Sequence, residues 1–256
     1  MLLIICCVAF ASSVLTFFSG FGLGTILTPV FAIFFPVEIA VSLTAIVHLL
    51  NNLFKMMLVG VSKERDIIIR FGIPSVITSF IGAWTLSNLA AIQASYSYHV
   101  GEWTCSTTPV KISIAALMLI FTLFEILPGL KNIQFDKRFL PFGGLISGFV
   151  GGLSGNQGAL RSMFLIKAGL TKESFISTGI LIACMVDFAR IPVYSSRYFN
   201  AEILQHKWLV LAATLSAFAG AYLGNKFFRK ITLSALQVIV SIALILIALL
   251  LGTGVI

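Results

Sequence analysis

The sequence predicts an all-α membrane protein made of two inverted repeats of four helical elements, in which the first element of each repeat is a glycine-broken, re-entrant hairpin. Three observations lead to this fold class. Of the 256 residues, 59% are hydrophobic and only 10% are charged, whereas about a quarter of a soluble domain is charged. Apolar runs of about 20 residues, long enough to cross a bilayer, recur along the chain. Polar residues also recur at one constant offset between the two halves.

The charge of the chain is explained first by its topology. Lys and Arg outnumber Asp and Glu by 17 to 9, and cytoplasmic loops of membrane proteins carry such an excess. The few cations inside apolar segments leave room for an anionic ligand. The four cysteines, Cys6, Cys7, Cys105 and Cys184, lack metal-ligand spacing, and no nucleophile–base arrangement is visible. We therefore expect neither an enzyme nor a metal or other cofactor, and no nucleic-acid partner.

Helices of the first half are separated by a glycine break, a proline turn and polar loops, and they are predicted over residues 2–18, 25–35, 39–59, 67–89 and 110–127. The break is Ser19-Gly20-Phe21-Gly22-Leu23-Gly24. The loop 90–109 contains no Lys or Arg, and Pro128-Gly129 ends this half.

The second half begins with a basic linker, 131–138, and has the same order of elements. Its predicted helices cover residues 139–153, 159–168, 173–193, 208–225 and 233–251. Its break is Ser154-Gly155-Asn156-Gln157-Gly158. The third helix is expected to end near Pro192, before a polar loop over 194–207. We assign residues 1–130 and 131–256 to the two repeats, which together form one transport domain.

The internal repeat rests on matches at the offset that separates Ser19 from Ser154. The matched pairs at this offset are Glu38 with Glu173, Ser42 with Ser177, Asn52 with Asp187 and Lys55 with Arg190. A fixed-period match of this kind is the mark of a repeat architecture.

Loop charges predict how the repeats are oriented. The loop Ser62–Arg70 and the linker 131–138 are basic and therefore cytoplasmic, whereas loop 90–109 is outside. The counterpart of loop 90–109, residues 226–230, is basic and so inside, which makes the repeat inverted. Inversion requires an odd number of crossings per half, so the broken element is expected to be re-entrant. Eight plain spans remain the alternative, because a re-entrant element places Arg197 and Lys207 outside.

The two breaks are the predicted substrate site. Glycine lets a helix stop and restart, and paired interruptions in two halves point to a transporter's binding site. Half-helix N-termini attract anions, and Arg161 lies at the start of the second half-helix. The substrate-binding residues predicted around the breaks are Ser19, Gly20, Gly24, Thr25, Thr28, Ser154, Gly155, Asn156, Gln157, Gly158 and Arg161. Tight glycine packing between helices is the alternative explanation.

Two helices also carry polar stripes at helical spacing. One stripe includes His48, Asn52 and Lys55, and the other includes Asp187 and Arg190. Ionisable groups inside a span normally face a cavity or a partner, so we predict that Asn52, Lys55 and Arg190 bind substrate. Alternatively, the two cations snorkel to the interface, or Asp187 and Arg190 neutralise each other. His48 and Asp187 are candidates for proton coupling; a hydrogen-bonded core histidine is the alternative.

A family resemblance adds to this interpretation. The first glycine break, followed by Thr28-Pro29, a short helix, Glu38-Ile39-Ala40-Val41-Ser42 and a basic loop, resembles the sulfite exporter TauE/SafE family. The second copy, Gly148-Phe149-Val150-Gly151-Gly152-Leu153-Ser154-Gly155, resembles the second repeat of that family. Phe21 and Leu23 stand where a richer glycine run is common, and Asn156-Gln157 also departs from the pattern, which leaves the ligand open.

The resemblance implies a multi-pass transporter of the bacterial cell inner membrane. Its substrate would be a small sulfur-containing anion such as sulfite, sulfoacetate, isethionate or another sulfonate. We expect secondary transport by alternating access, with a passive anion channel as the alternative. The expected partners are the anionic substrate, the lipid bilayer and a second copy of the chain in a homodimer.

Overall fold

Helices dominate the computed structural model, which describes residues 1–19, 23–92, 94–127, 129, 133–198, 204–227 and 234–256. In these ranges the helices are α1 (Leu2–Ser19), α2 (Leu23–Ala32), α3 (Val37–Val59), α4 (Arg65–Ala91), α5 (Pro109–Ile126), α6 (Leu140–Ser154), α7 (Gly158–Leu165), α8 (Lys172–Tyr198), α9 (Lys207–Phe227) and α10 (Ser234–Gly252). Among the described residues, α3, α4, α8 and α9 are long and apolar enough to cross a membrane. The helical membrane class is thus confirmed.

The loop 90–109 departs from the all-α prediction. It contains an antiparallel hairpin of two strands, β1 (Tyr96–Val100) and β2 (Trp103–Thr107). Aromatic and Thr residues favour strands, and Gly101 supplies the positive φ of 62° that the two-residue turn needs. Tyr98 Oη donates to the Thr253 carbonyl at 2.7 Å, which ties the hairpin to the segment after α10.

Helix α8 is longer than predicted. The sequence places its end near Pro192, but the helix continues to Tyr198. Proline removes one backbone donor, and nearby hydroxyls hydrogen-bond to the carbonyls of this stretch. Ser195 Oγ donates to the Ile191 carbonyl at 2.7 Å. Membrane helices tolerate an internal proline, so the predicted polar loop begins later than Tyr194.

Helix pairings between the two halves recur when the halves are exchanged. Helix α4 packs against α6 as α9 packs against α1, and α4 contacts α8 as α9 contacts α3. Two further pairs, α3 with α8 and α5 with α10, join corresponding elements of the two halves. The contact between α3 and α8 brings the two polar stripes together.

Small residues allow backbones to touch at the α4–α6 crossing. A Cβ atom at Gly148 or Gly152 would clash with the carbonyls of Ser75 or Ser79, and one at Gly82 would clash with Phe149. Such close approach is typical of helix packing in membranes. The α1–α9 crossing is also close, because a Cβ atom at Gly220 would clash with the Phe10 carbonyl.

Several basic segments meet at one end of the helices, which we call the basic end and define by the segment 60–66 and its contacts. Asp66 pairs with Arg70 at 2.8 Å and with Lys137, just before α6, at 3.3 Å. Ser174, in the first turn of α8, donates to Glu64 at 2.9 Å. The residues before α6 and the start of α8 therefore lie at the same end.

Candidate functional site

The two glycine breaks meet inside the structure. Gly24 lies so close to the second break that a Cβ atom on it would be 2.8 Å from the Gly155 carbonyl oxygen. Thr25 Oγ1 donates to Asn156 Oδ1 at 2.7 Å. Gly20 lies outside the described residues, and Ser19 ends α1. The predicted convergence of the two interruptions is thus present in the described residues.

Backbone groups at the second break are satisfied locally. Gly155 ends α6 with a φ of 78°, and its N–H donates to the Gly151 carbonyl at 2.9 Å. Ser147 Oγ donates to the Gln157 carbonyl at 3.2 Å, and the Asn156 N–H donates to Ser154 Oγ at 3.3 Å. These bonds remove much of the cost of an interrupted helix in an apolar region.

Two polar atoms beside the breaks have no hydrogen-bond partner among the described residues, namely Thr28 Oγ1 and Gln157 Nε2, and both are buried. Buried polar groups are normally paired. Gly158 then begins α7, whose first turn carries Arg161.

A buried ionic network lies next to the second break. Asp187 Oδ1 accepts from Arg190 Nε at 2.9 Å and lies 2.7 Å from Arg190 Nη2, and the other carboxylate oxygen lies 2.6 Å from His48 Nδ1. Arg190 Nη1 also donates to the Gly151 carbonyl at 2.9 Å. Asp187 and Arg190 are fully buried, so Arg190 does not extend to the surface, and the two side chains pair as the neutralisation alternative expects. Arg190 therefore fastens α8 to the end of α6.

A separate cavity of about 30 Å³ lies between α1, α3, α7 and α8. We call it the cation cavity, and its lining residues are Thr16, Phe17, Leu23, His48, Asn52, Lys55, Arg161, Ser162, Leu165, Phe175, Ile176, Gly179 and Ile180. Its volume is sufficient for water but leaves little room for a larger solute.

Lys55 and Arg161 are the charged residues that line this cavity, and they are only 4% and 6% exposed. Lys55 Nζ donates to Thr16 Oγ1 at 3.4 Å and lies 5.5 Å from the centre of the Phe17 ring. Arg161 lies over Gly179, where a Cβ atom would be 3.5 Å from Nε. The absence of a side chain at Gly179 of α8 thus leaves space for the Arg161 guanidinium.

The two charged side chains that line the cavity are both cations, and the Asp187 carboxylate lies behind His48. Among the described residues, neither Lys55 nor Arg161 forms an ion pair, and no carboxylate lines the cavity. Arg161 Nη1 has no hydrogen-bond partner in the same ranges. A buried charge without a partner is costly, and a bound anion would remove that cost. Lys55 offers a point charge and Arg161 a planar donor fork, which together suit an oxyanion.

The predicted site residues therefore lie in three places. His48, Asn52, Lys55 and Arg161 line the cation cavity, and so Lys55 is buried rather than at the interface. Gly24, Thr25, Thr28, Gly155 and Asn156 lie in the adjoining contact between the breaks, and Asp187 and Arg190 lie in the ionic network. Within the described ranges, no group of three His, Cys, Asp or Glu residues is arranged to hold a metal.

Sequence reasoning missed several lining residues. Thr16 and Phe17 lie just before the first break in an apolar run, and neither is distinguished by its sequence context. Phe175, Ile176 and Gly179 belong to the first turns of α8. The contact between α1 and the polar stripe of α3 would have been needed to find them.

Comparison with known proteins identifies the family. No curated protein and no solved structure matches the chain significantly. The family model described as "Sulfite exporter TauE/SafE" matches residues 4–251 of 256. The match contains both breaks, the ionic network and every residue of the cation cavity. The chain belongs to the sulfite exporter TauE/SafE family of membrane transporters.

Proposed function

We propose that this protein is a secondary transporter that moves a small sulfur-containing anion, sulfite or an organic sulfonate, across the inner membrane. Membership of the family supports a sulfur anion as substrate. The observation that carries the proposal is the cation cavity, where buried Lys55 and Arg161, one from each half, face the same space without a carboxylate.

The proposed binding mode follows from the donors in the cavity. Arg161 binds two oxygens of the sulfite or sulfonate group through its planar fork, and Lys55 binds the third. Asn52 and His48 complete the donor set, and Phe175 and Ile176 contact the rest of the solute. Because the cavity holds only about 30 Å³, it widens when the anion enters.

The proposed transport cycle is alternating access by two inverted repeats, each beginning with a re-entrant hairpin. The recurring helix pairings between the halves support this. Two contacts at the basic end support it as well. Lys137, before α6, pairs with Asp66, and Ser174, after α7, donates to Glu64. An α6–α7 segment that enters and leaves at one end is what a re-entrant hairpin requires. Topology mapping with cysteines near Arg138 and Lys167 tests it, because opposite faces would contradict the hairpin.

Proton coupling is proposed through His48 and Asp187. His48 lines the cavity while its Nδ1 lies 2.6 Å from Asp187, so a proton on the imidazole would sit between the substrate and the ionic network. Histidine changes charge within the physiological pH range. Proton movement with sulfite uptake, measured with a pH-sensitive dye in proteoliposomes, tests this step; uptake without proton movement would contradict it.

The experiment that tests the function is transport in proteoliposomes with a panel of sulfite, thiosulfate, sulfoacetate, isethionate and taurine. We expect saturable uptake of at least one sulfur oxyanion and its loss in Arg161→Gln. Arg70→Gln is the matched control, because Arg70 is exposed and paired with Asp66 at the basic end. Equal uptake by Arg161→Gln and the unchanged protein would overturn the assignment. Accumulation against a gradient separates a transporter from a passive channel.

A further inference from the structure

A second cavity adjoins the cation cavity at the basic end. It has a volume of about 280 Å³ and is lined by Phe17, Leu58, Val59, Lys172, Glu173, Ile176 and Asn225. We call it the vestibule. Phe17 and Ile176 line both cavities, so these two side chains form the partition between them.

Phe17 is held in the partition by two contacts. Its ring faces the Lys55 ammonium at 5.5 Å. The base of the Phe17 side chain lies beside α9, where a Cβ atom added at Gly224 would be 3.4 Å from the Phe17 Cβ. The residue is only 3% exposed. One of its contacts is therefore electrostatic and depends on the charge of Lys55.

We propose that the vestibule is the entrance to the cation cavity and that Phe17 is the gate residue, which Lys55 holds closed through its contact with the ring. A cation attracts the face of an aromatic ring because the ring face is electron-rich. An anion that pairs with the same ammonium competes with the ring, so the closed position loses part of its attraction when substrate arrives. A ligand shifts an equilibrium when it interacts differently with the two states, and this competition supplies the difference.

The location of the vestibule specifies the side of entry. Val59 ends α3 just before the basic loop, and Lys172 and Glu173 begin α8 beside Glu64. The loop charges predict that this end is cytoplasmic. The entrance in this conformation therefore faces the cytoplasm. The inference uses the proposed function only in taking the cation cavity as the substrate site.

The test measures access without any substrate. In full-length protein with its four cysteines replaced, Ser162→Cys reports on the cation cavity and Asn225→Cys on the vestibule. A membrane-impermeant, negatively charged methanethiosulfonate is applied to inside-out and right-side-out vesicles. We expect Asn225→Cys to react rapidly in inside-out vesicles only. Ser162→Cys should react slowly from that side, and at least about ten times faster when combined with Phe17→Ala.

Two further variants separate gating from a general loosening of the fold. Phe10→Ala removes the same ring from an exposed position in α1 and should leave the Ser162→Cys rate unchanged. Lys55→Gln should accelerate labelling with Phe17 in place, because it removes the attraction that holds the ring. Phe17→Leu, which keeps an apolar side chain, should give an intermediate rate.

Three results would overturn the proposal: an unchanged Ser162→Cys rate in both Phe17 variants, equal acceleration by Phe10→Ala, or labelling of Asn225→Cys from the opposite face alone. An unchanged rate in Lys55→Gln would overturn the role of the ammonium. Because no transport is measured, a failed uptake assay leaves these results interpretable, and a failed gate leaves the anion site intact.

Discussion

Arg190 and Arg161 are two buried arginines in the second half of the chain, and they differ in what they face. Arg190 forms an ion pair with Asp187 and donates from Nη1 to the Gly151 carbonyl. Arg161 shares a cavity with a second cation, and its Nη1 has no partner among the described residues. Arg190 therefore has a counter-charge within the protein, whereas Arg161 forms no ion pair among the described residues. A buried cation without a counter-charge is therefore a better candidate for a ligand site than one that is already paired.

The largest effect is expected from breaking the completed network. Asp187→Asn leaves the Arg190 guanidinium buried without its counter-charge and should cost about 3–5 kcal/mol of folding stability. Thermal unfolding in detergent measures this. The double variant Asp187→Asn with Arg190→Gln should recover part of the loss, since it removes the uncompensated charge. A double variant less stable than Asp187→Asn alone would argue against the pairing.

Arg161→Gln should have the opposite profile. Removing a charge that lacks a protein partner should leave thermal stability unchanged or raise it. Sulfite binding should weaken by about 2–5 kcal/mol, which is about 30-fold or more in Kd. Isothermal titration calorimetry on the purified protein measures the change. A loss of stability as large as that of Asp187→Asn would show that the two arginines do not differ as described.

Lys55→Gln is expected to weaken anion binding less than Arg161→Gln, because one donor to a charged acceptor contributes about 1.5–3 kcal/mol, or about 10- to 150-fold in Kd. Lys55→Arg restores the charge and should recover part of the affinity. Lys111→Gln is the control, since its ammonium contacts only carbonyls near the β-hairpin among the described residues. Equal losses in Lys55→Gln and Lys111→Gln would place the effect outside the cavity.

The smallest effect is expected at the contact between the breaks. Thr25→Val removes the donor to Asn156 and should cost about 1 kcal/mol of stability. Thr85→Val is matched to it, because Thr85 Oγ1 bonds only within its own exposed turn at 2.9 Å. If both variants lowered the melting temperature equally, the hydrogen bond between the breaks would contribute no stability of its own.

The convergence of the breaks was predictable because it depends on a repeat that the chain displays directly. The pairing of Asp187 with Arg190 was predictable too, because it lies within one helix turn. The contact of His48 with Asp187 was not, since it depends on how α3 is rotated against α8. The cation cavity was unpredictable for the same reason. Lys55 and Arg161 belong to separate helices, and only the packing of those helices shows that both side chains line one cavity. Phe17 is one apolar residue among many until its neighbours are known.

The absence of a side-chain layer where Gly148 and Gly152 meet α4 has a mechanical consequence. Helix backbones in direct contact cannot slide past each other without steric collision, so α4 and α6 form one rigid unit. The α1–α9 crossing, where Gly220 lies against the Phe10 carbonyl, makes a second rigid unit. Any rearrangement that carries a solute through the protein must therefore rotate these two helix pairs as rigid bodies. The contacts that change are then the side-chain contacts between the two pairs.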